Sequence, residues 1–303
     1  MRNLADRRPH LAKRPGIGLR GRVPNMPRNL KIGLEEAELV RCVLAHSGLE
    51  SGVMVDVGAH VGTVSILFAD ADWEVHAFEP DPSNRMRFRE RFDERPNVSL
   101  DSRAVGEIDG ERLQFFTSPQ STGISGFVRF HDTHVPLTEV ETVRLDTYLA
   151  DHDIDAIDFL KVDTEGFDLF VIRSYDWEAS PAPSAILCEF EDSKTKNVGY
   201  DTAELAGFLE SRGYAVLVSE WHPIERYGVV HAWRTMYRWN DDRPTPEDAW
   251  GNLLAFQDPR NADAALSLLP DLIVTNGQGN RRQRAALAAW KKRAALARRT
   301  KSC

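Results

Sequence analysis

The stretch Val53-Met54-Val55-Asp56-Val57-Gly58-Ala59-His60-Val61-Gly62 constrains the fold more than any other part of the chain. Its first half is a short apolar run with a single acid, the pattern of a strand buried on both faces, and it runs into a glycine-bounded turn. The same unit then recurs. Residues 63–69 read as a helix, 74–78 as the second strand, and 83–92 as a helix with Phe88 and Phe92 four apart on one face. A third strand begins at 98–100 and ends near Ala104-Val105. The fourth is 157–162, with a helix over 168–175 behind it, and the fifth is 185–190. Asp201 opens another helix, with Glu204 placed for a reciprocal cap, before a sixth strand at 214–219. Residues 228–239 supply a seventh strand or an aromatic-rich loop. Apolar strands alternating with amphipathic helices lead to one class, α/β, with a mostly parallel seven-stranded sheet and helices on both faces.

The flanking segments sort by composition. Residues 1–30 are broken by prolines and glycines, keep no periodicity, and are expected to be a basic extension. Residues 31–240 form the folded domain, opened by a helix whose apolar face is Ile32, Ala37, Val40, Val43 and Leu44. Residues 241–278 are expected as a helical or loop extension, and 279–303 as a basic Ala/Arg-rich tail of helical propensity. Residues 106–141 insert an irregular stretch between strands three and four, with short strands near 114–116 and 140–143.

Net charge is −8, but both ends are basic: residues 1–31 carry nine Lys/Arg and one acid, and residues 279–303 carry nine and none. The body between them holds 20 Lys/Arg against 45 Asp/Glu, which repels a nucleic-acid backbone and excludes that partner. The basic ends read as solvated arms lying against the acidic body; weak peripheral contact of the C-terminal tail with an anionic membrane is the competing reading. Cys42, Cys188 and Cys303 are too few and scattered for a disulfide framework or a cysteine zinc site. No apolar run approaches the ~20 residues that span a bilayer, and the arginine-rich start lacks a secretory apolar region. A cytoplasmic protein is expected, peripheral at the inner membrane face if the tail meets lipid. Nothing in the sequence sets an oligomeric state.

In a doubly wound sheet the ligand lies beyond the carboxyl ends of the strands, where the glycine turn exposes the amide donors of the next helix. Glu79 closes the second strand, and a carboxylate there accepts hydrogen bonds from both hydroxyls of a ribose. The turn is not the dinucleotide fingerprint, because Ala59 and His60 stand where more glycine is required. A pyrophosphate has no cradle; a nucleoside carrying a smaller charged group fits better.

Residues 55–63 (Val-Asp-Val-Gly-Ala-His-Val-Gly-Thr), Phe78-Glu79-Pro80 and residues 159–166 (Phe-Leu-Lys-Val-Asp-Thr-Glu-Gly) together resemble the FkbM-type family of class I S-adenosylmethionine-dependent methyltransferases. Residues 143–149 and Cys188-Glu189-Phe190 extend the resemblance, which covers about residues 30–239. It implies a Rossmann-like class I methyltransferase fold for residues 31–240, and S-adenosyl-L-methionine as cofactor. By the same resemblance Gly58, Ala59 and Gly62 approach the methionine part, Asp56 supports that region, Glu79 takes the ribose hydroxyls, and Ser102 to Ala104 border the adenine. His60 stands where many class I enzymes have glycine, and a steric role beside the cofactor is expected of it. The resemblance also implies acceptors: hydroxyls of sugars, polysaccharides and polyketide-like products, with a glycan or lipid-linked sugar preferred here.

Moving a methyl group from a sulfonium to a hydroxyl is an in-line displacement that needs close alignment and a group to collect the proton. Asp163, beside the cofactor beyond the fourth strand, is the leading candidate base, with Glu165 next to it, Glu189 on the fifth strand, and His222 as runner-up. Capping of the following helix is the alternative for Asp163 and Glu165. Clustered acids suit Mg²⁺, but no metal-ligand motif is present, His131 and His134 fall in the insertion, and no metal is expected. Residues 121–127 form a polar loop placed to cover the cofactor or touch the acceptor, and Trp221 is either an acceptor contact or packing. The expected function is O-methylation of a sugar, glycan or related natural product, with polysaccharide biosynthesis as its setting. The rivals are a nucleotide-sugar oxidoreductase or epimerase, and a non-catalytic assembly protein of the same fold.

Overall fold

The structure, a computed structural model, describes residues 32–224, 231–239, 245–246, 248–275, 285, 287–289 and 291–292. The chain begins with β1 (Ile32–Gly33), α1 (Glu36–His46), β2 (Val53–Val57), α2 (Ser65–Ala69), β3 (Glu74–Phe78), α3 (Pro82–Arg91) and β4 (Val98–Asp101). An insertion follows with β5 (Ala104–Val105), β6 (Arg112–Thr117) and β7 (Val135–Val143), and then α4 (Leu145–Asp151). The second half holds β8 (Phe159–Val162), α5 (Asp168–Arg173), β9 (Ala185–Glu191), α6 (Asp192–Thr195), α7 (Thr202–Ser211) and β10 (Ala215–Trp221). It closes with β11 (Trp233–Arg238), β12 (Trp250–Phe256), α8 (Pro259–Leu272) and β13 (Val274–Thr275).

An eight-stranded sheet in the order β11-β10-β12-β9-β8-β2-β3-β4 is the frame. The pairs β4/β3, β3/β2, β2/β8 and β8/β9 are parallel, while β12 runs antiparallel to both β9 and β10 and β11 runs antiparallel to β10. Side chains alternate across the sheet and divide the core into two layers. Met54, Val75, Phe159 and Phe256 face α1, α2 and α8; Val55, Val57, Leu160 and Val162 face α4, α5 and α7. Phe68 stacks on Phe159 with ring centroids 4.8 Å apart and meets Trp73 edge-on at 5.1 Å. Each of these buried rings contributes about 1.5–3 kcal/mol.

Helix starts follow their caps. Asp81 accepts from Ser83 N and Asn84 N ahead of Pro82 at the first position of α3, and Asp258 with Pro259 repeats the device at α8. Asp201 caps α7 as its sequence predicts, but Glu204 does not return the bond; it pairs with Arg173 at 2.7 Å.

The frame departs from the sequence reading in four places. The sheet has eight strands, because residues 250–256, read as part of an extension, form β12 between β9 and β10. Gly251 and Asn252 interrupt its apolar run, and Gly251 earns its place by closeness: a Cβ there would lie 2.0 Å from Ser219 O. The folded domain therefore continues past residue 240 through β12 and α8, which packs on α1. The third strand ends at Asp101, and Ala104–Val105 pair with β7 in a separate three-stranded sheet. Residues 32–33 pair with β13, so α1 starts only at Glu36.

The basic extension, residues 1–30, lies outside the described residues, as do 225–230. In the basic tail the described residues 285, 287–289 and 291–292 are helical, and Leu287 packs on the α1/α8 layer. Among the described residues no helix is long and apolar enough to cross a membrane.

Candidate active site

At the carboxyl ends of β2, β3 and β8 lies a cavity of about 230 Å³, partly open to solvent. The turn after β2 contributes Gly58, Ala59 and His60; the end of β3 contributes Phe78, Glu79 and Pro80. Beyond β8 stand Asp163, Thr164, Glu165 and Phe167, with Lys161 from the strand itself. The insertion roofs the cavity with Phe115, Thr122, Ser125, Gly126 and Phe127, so the loop at 121–127 covers the site as its position suggests. It is pinned there: His60 Nε2 lies 3.1 Å from Thr122 Oγ1, and Thr117 and Ser125 hydroxyls donate to Asp81 Oδ2 at 3.3 and 3.4 Å.

Glu79 is 4% exposed. Its two carboxylate oxygens accept backbone N–H groups, His60 N and Asp81 N, both at 2.7 Å. Burial pushes its pKa up to about 7 despite those bonds. The Asn84 side chain is a further hydrogen-bond partner, and the acceptor capacity left on the carboxylate faces the cavity, where ribose hydroxyls can use it. With Ala104, Val105, Phe115 and Phe127 as apolar walls, the residues present fit a nucleoside-bearing cofactor. The carboxylate also fixes the turn, since His60 has φ +51, a conformation that favours glycine.

Gly58 serves the fold as much as any ligand. Its φ is +76, and a Cβ would lie 1.9 Å from Asp163 O, just past the end of the neighbouring β8. Gly62 lies away from the cavity, where a Cβ would meet Phe92 at 2.3 Å and Phe88 at 2.9 Å. Asp56 is also behind the cavity wall: fully buried, it accepts from Ser65 Oγ at 2.6 Å and pairs with Lys161 Nζ at 3.1 Å. Ser102 faces a shallow surface groove with Arg85, Arg103 and Leu137, because the chain turns outward between β4 and β5. Ala104 alone of that pair lines the cavity.

Two lysines organise the acids. Lys161 Nζ donates to Gly58 O at 2.7 Å and stands 3.5 Å from Asp163 Oδ2. Burial alone would lower its pKa, but Asp56 and Asp163 outweigh that and raise it. Asp163 keeps 46% of its side chain exposed at the cavity mouth. Lys194, at 1% exposure, bonds Glu165 and lies 2.8 Å from Glu191 and 3.3 Å from Glu189. Burial raises Glu165 to about 7, offset in part by Lys194, and raises Asp168 to about 6. Burial also drives Glu189 well above the carboxylate range, reinforced by the charge of Glu165. Oxygens of Asp163, Glu165 and Glu189 come within 4.8 Å of one another, a spacing a divalent cation can use, and Lys194 already supplies positive charge to two of the three.

Of the candidate bases, Asp163 and Glu165 line the cavity. Glu189, whose oxygens come within 4.8 Å of those of both, is not part of the cavity wall. His222 stands at the end of β10, where its N donates to Ala232 O and its O accepts from Trp250 Nε1, and it is not part of the cavity wall. Trp221 is packing: its ring sits 5.6 Å from that of Trp250 and its Nε1 donates to Glu36 at 2.6 Å. Sequence reasoning missed Lys161 and Lys194 as site residues. A lysine inside the apolar run Phe159-Leu160-Lys161-Val162 was a readable signal, whereas Lys194 sits in a polar run that reads as solvated.

The family model described as Methyltransferase FkbM domain matches residues 56–216, just over half of the chain. A 31-O-demethyl-FK506 methyltransferase, FkbM, from Streptomyces tacrolimicus is 28% identical over 252 residues, covering 69% of this chain and 94% of the relative. Among solved structures, a precorrin-6y C5,15-methyltransferase from Geobacter metallireducens GS-15 aligns at 14% identity and TM-score 0.38, over 72% of this chain and 87% of that one. The magnesium protoporphyrin IX methyltransferase ChlM of Synechocystis PCC 6803 aligns at 10% identity and TM-score 0.37, over 74% and 79%. Cavity, motifs and family match concern the same residues, and the chain belongs to the FkbM methyltransferase family.

Proposed function

We propose that the protein is an S-adenosyl-L-methionine-dependent O-methyltransferase acting on a hydroxyl of a sugar, glycan or related natural product. The observation that carries this reading is the sharing of one cavity by the buried Glu79 and the acids Asp163 and Glu165. When bound, the cofactor supplies an electrophilic methyl group, whose transfer to oxygen leaves a thioether and releases the hydroxyl proton. Glu79 would hold the ribose hydroxyls, Ala104, Val105, Phe115 and Phe127 would enclose the base, and the turn at Gly58-Ala59-His60 would face the methionine part. Asp163 and Glu165 are the groups within reach to collect the proton. The roof at 121–127 covers part of the site, and alignment of donor and acceptor there supplies much of the rate enhancement.

The relative's name refers to an O-demethyl compound, which supports oxygen as the accepting atom. Polar groups at the cavity rim, Thr122, Ser125 and Asp163, suit an acceptor rich in hydroxyls. The nucleotide-sugar oxidoreductase reading lacks a phosphate cradle and the family match. Incubation with methyl-labelled S-adenosylmethionine and fractionated glycans and glycolipids, followed by mass spectrometry, tests the proposal. A labelled carbohydrate product is the expected result; label confined to protein or nucleic acid would overturn it.

A further inference from the structure

Lys194 has no part in the reaction as described so far, yet its surroundings are built around it. Glu165, Glu189 and Glu191 approach its ammonium from three sides, and Phe130 of the insertion closes another with its ring 4.7 Å from Nζ. An ammonium taken this far from water persists only among several carboxylates. Glu165 is held unusually as well. It has φ +57, a left-handed conformation rare for a residue with a side chain, and Gly166 follows at φ +101. A Cβ on Gly166 would lie 3.2 Å from Lys194 Cβ, so the two segments are packed closely and Glu165 sits between the cavity and the lysine.

We propose that Lys194 is a positioning residue for Glu165: it fixes the carboxylate at the cavity wall and balances its charge, so that Glu165 receives the proton of the acceptor hydroxyl. The inference rests on the O-methyl transfer reading. As the acceptor oxygen bonds to the methyl carbon, the carbon–sulfur bonding pair stays with sulfur, and the hydroxyl proton passes to a Glu165 oxygen and from there to solvent. Lys194 thereby does from within the chain what a divalent cation does in an acid cluster. The charged groups around this pair are Asp163 and Asp168 beside β8 and α5, Glu189 and Glu191 on β9, His134 of the insertion facing Lys194, and His231 facing Glu191.

The test compares Lys194→Met and Lys194→Arg with the parent protein. The full chain, labelled with ¹³C at glutamate carboxyls and saturated with S-adenosylhomocysteine, is titrated by NMR, with Glu165→Gln assigning the resonance. Lys194→Met should raise the Glu165 midpoint by at least one pH unit, and Lys194→Arg should leave it near the parent value. In label transfer to the glycan fraction, Lys194→Met should lower the rate at pH 7 at least about fivefold and move the acidic limb of the pH profile upward, with S-adenosylhomocysteine affinity within threefold. An unmoved midpoint or limb in folded Lys194→Met protein overturns the proposal. Should that variant fail to fold, Lys194→Gln decides by the same measurements: the Glu165 midpoint should rise, and no movement overturns the proposal. The titration needs no acceptor, so its failure is distinct from an absence of label transfer in the parent protein, which would overturn the O-methyl transfer reading itself.

Discussion

Replacing Glu79 by alanine is expected to separate cofactor binding from folding. In the parent protein the carboxylate accepts His60 N and Asp81 N at 2.7 Å each, and the Asn84 side chain is a further partner. Ribose hydroxyls donating to the remaining acceptor positions make charge-assisted bonds worth about 1.5–3 kcal/mol each, so the loss is about 3 kcal/mol, or about 10²-fold in Kd. The two backbone amides lose their acceptor as well, but the cavity lets water reach them, and part of the burial penalty that raises Glu79 to about 7 is relieved. A modest loss of stability, on the order of 1–2 kcal/mol, should therefore accompany a large loss of affinity. Calorimetry with S-adenosylhomocysteine measures the affinity, and a thermal melt reports the fold. The pH dependence adds a second reading of the same group. Ribose hydroxyls favour the ionised carboxylate, so Kd in the parent should tighten as pH rises through about 7 and then level off, with proton release on binding below that point. Glu79→Ala should lose this slope. Unchanged affinity in a folded variant, or a parent Kd independent of pH between 6 and 8, would refute the reasoning.

Three further outcomes follow from the same geometry. Gly58→Ala should destabilise the whole domain by several kcal/mol and lower Tm by on the order of 10 °C, because its Cβ would lie 1.9 Å from Asp163 O at a φ of +76; an unchanged melt contradicts the close approach of β2 to β8. Glu36, buried under Ser219 and Trp221, has its pKa raised by burial from near 4.5 to about 7, so the folded state holds the proton more tightly than the unfolded one. Its contribution is complete below pH 4.5 and declines as pH rises through 7, by at most about 3 kcal/mol, and Glu36→Gln should flatten that part of a stability-against-pH curve; an identical slope in both proteins would count against it. Chelators should leave methyl transfer unaffected, since Lys194 supplies the cation of the acid cluster; activity lost to chelation and restored by Mg²⁺ would show a metal instead.

Most of the parallel half of the fold was legible because β2, β8 and β9 are largely apolar runs closed by turn signals, and β2 and β3 match their expected bounds residue for residue. What escaped was set by long-range geometry. β12 is masked by Gly251, present because Ser219 O lies where a side chain would go, and nothing local announces that the chain returns to the middle of the sheet. At the site, Glu79 and the turn at Gly58-Ala59-His60 could be read from spacing, since the strand ends converge in any sheet of this class. Gly62 and Gly58 look equivalent in sequence, but one meets Phe88 and Phe92 and the other meets the backbone just past the end of β8. The pairing of Lys194 with Glu165 depends on α6 folding back beside β9, across 29 residues, and no short motif encodes it.

The atom that receives the methyl group distinguishes an O-methyltransferase from every other assignment. The most direct measurement is NMR of the product formed from ¹³C-methyl-labelled S-adenosylmethionine and a glycan or glycolipid fraction. The labelled methyl should show a three-bond correlation to a proton on a sugar or polyol carbon, the signature of an ether at a former hydroxyl, and Glu79→Ala protein should form far less of it at a cofactor concentration near the parent Kd. A label found on nitrogen, carbon, sulfur or a carboxylate ester would contradict the claim.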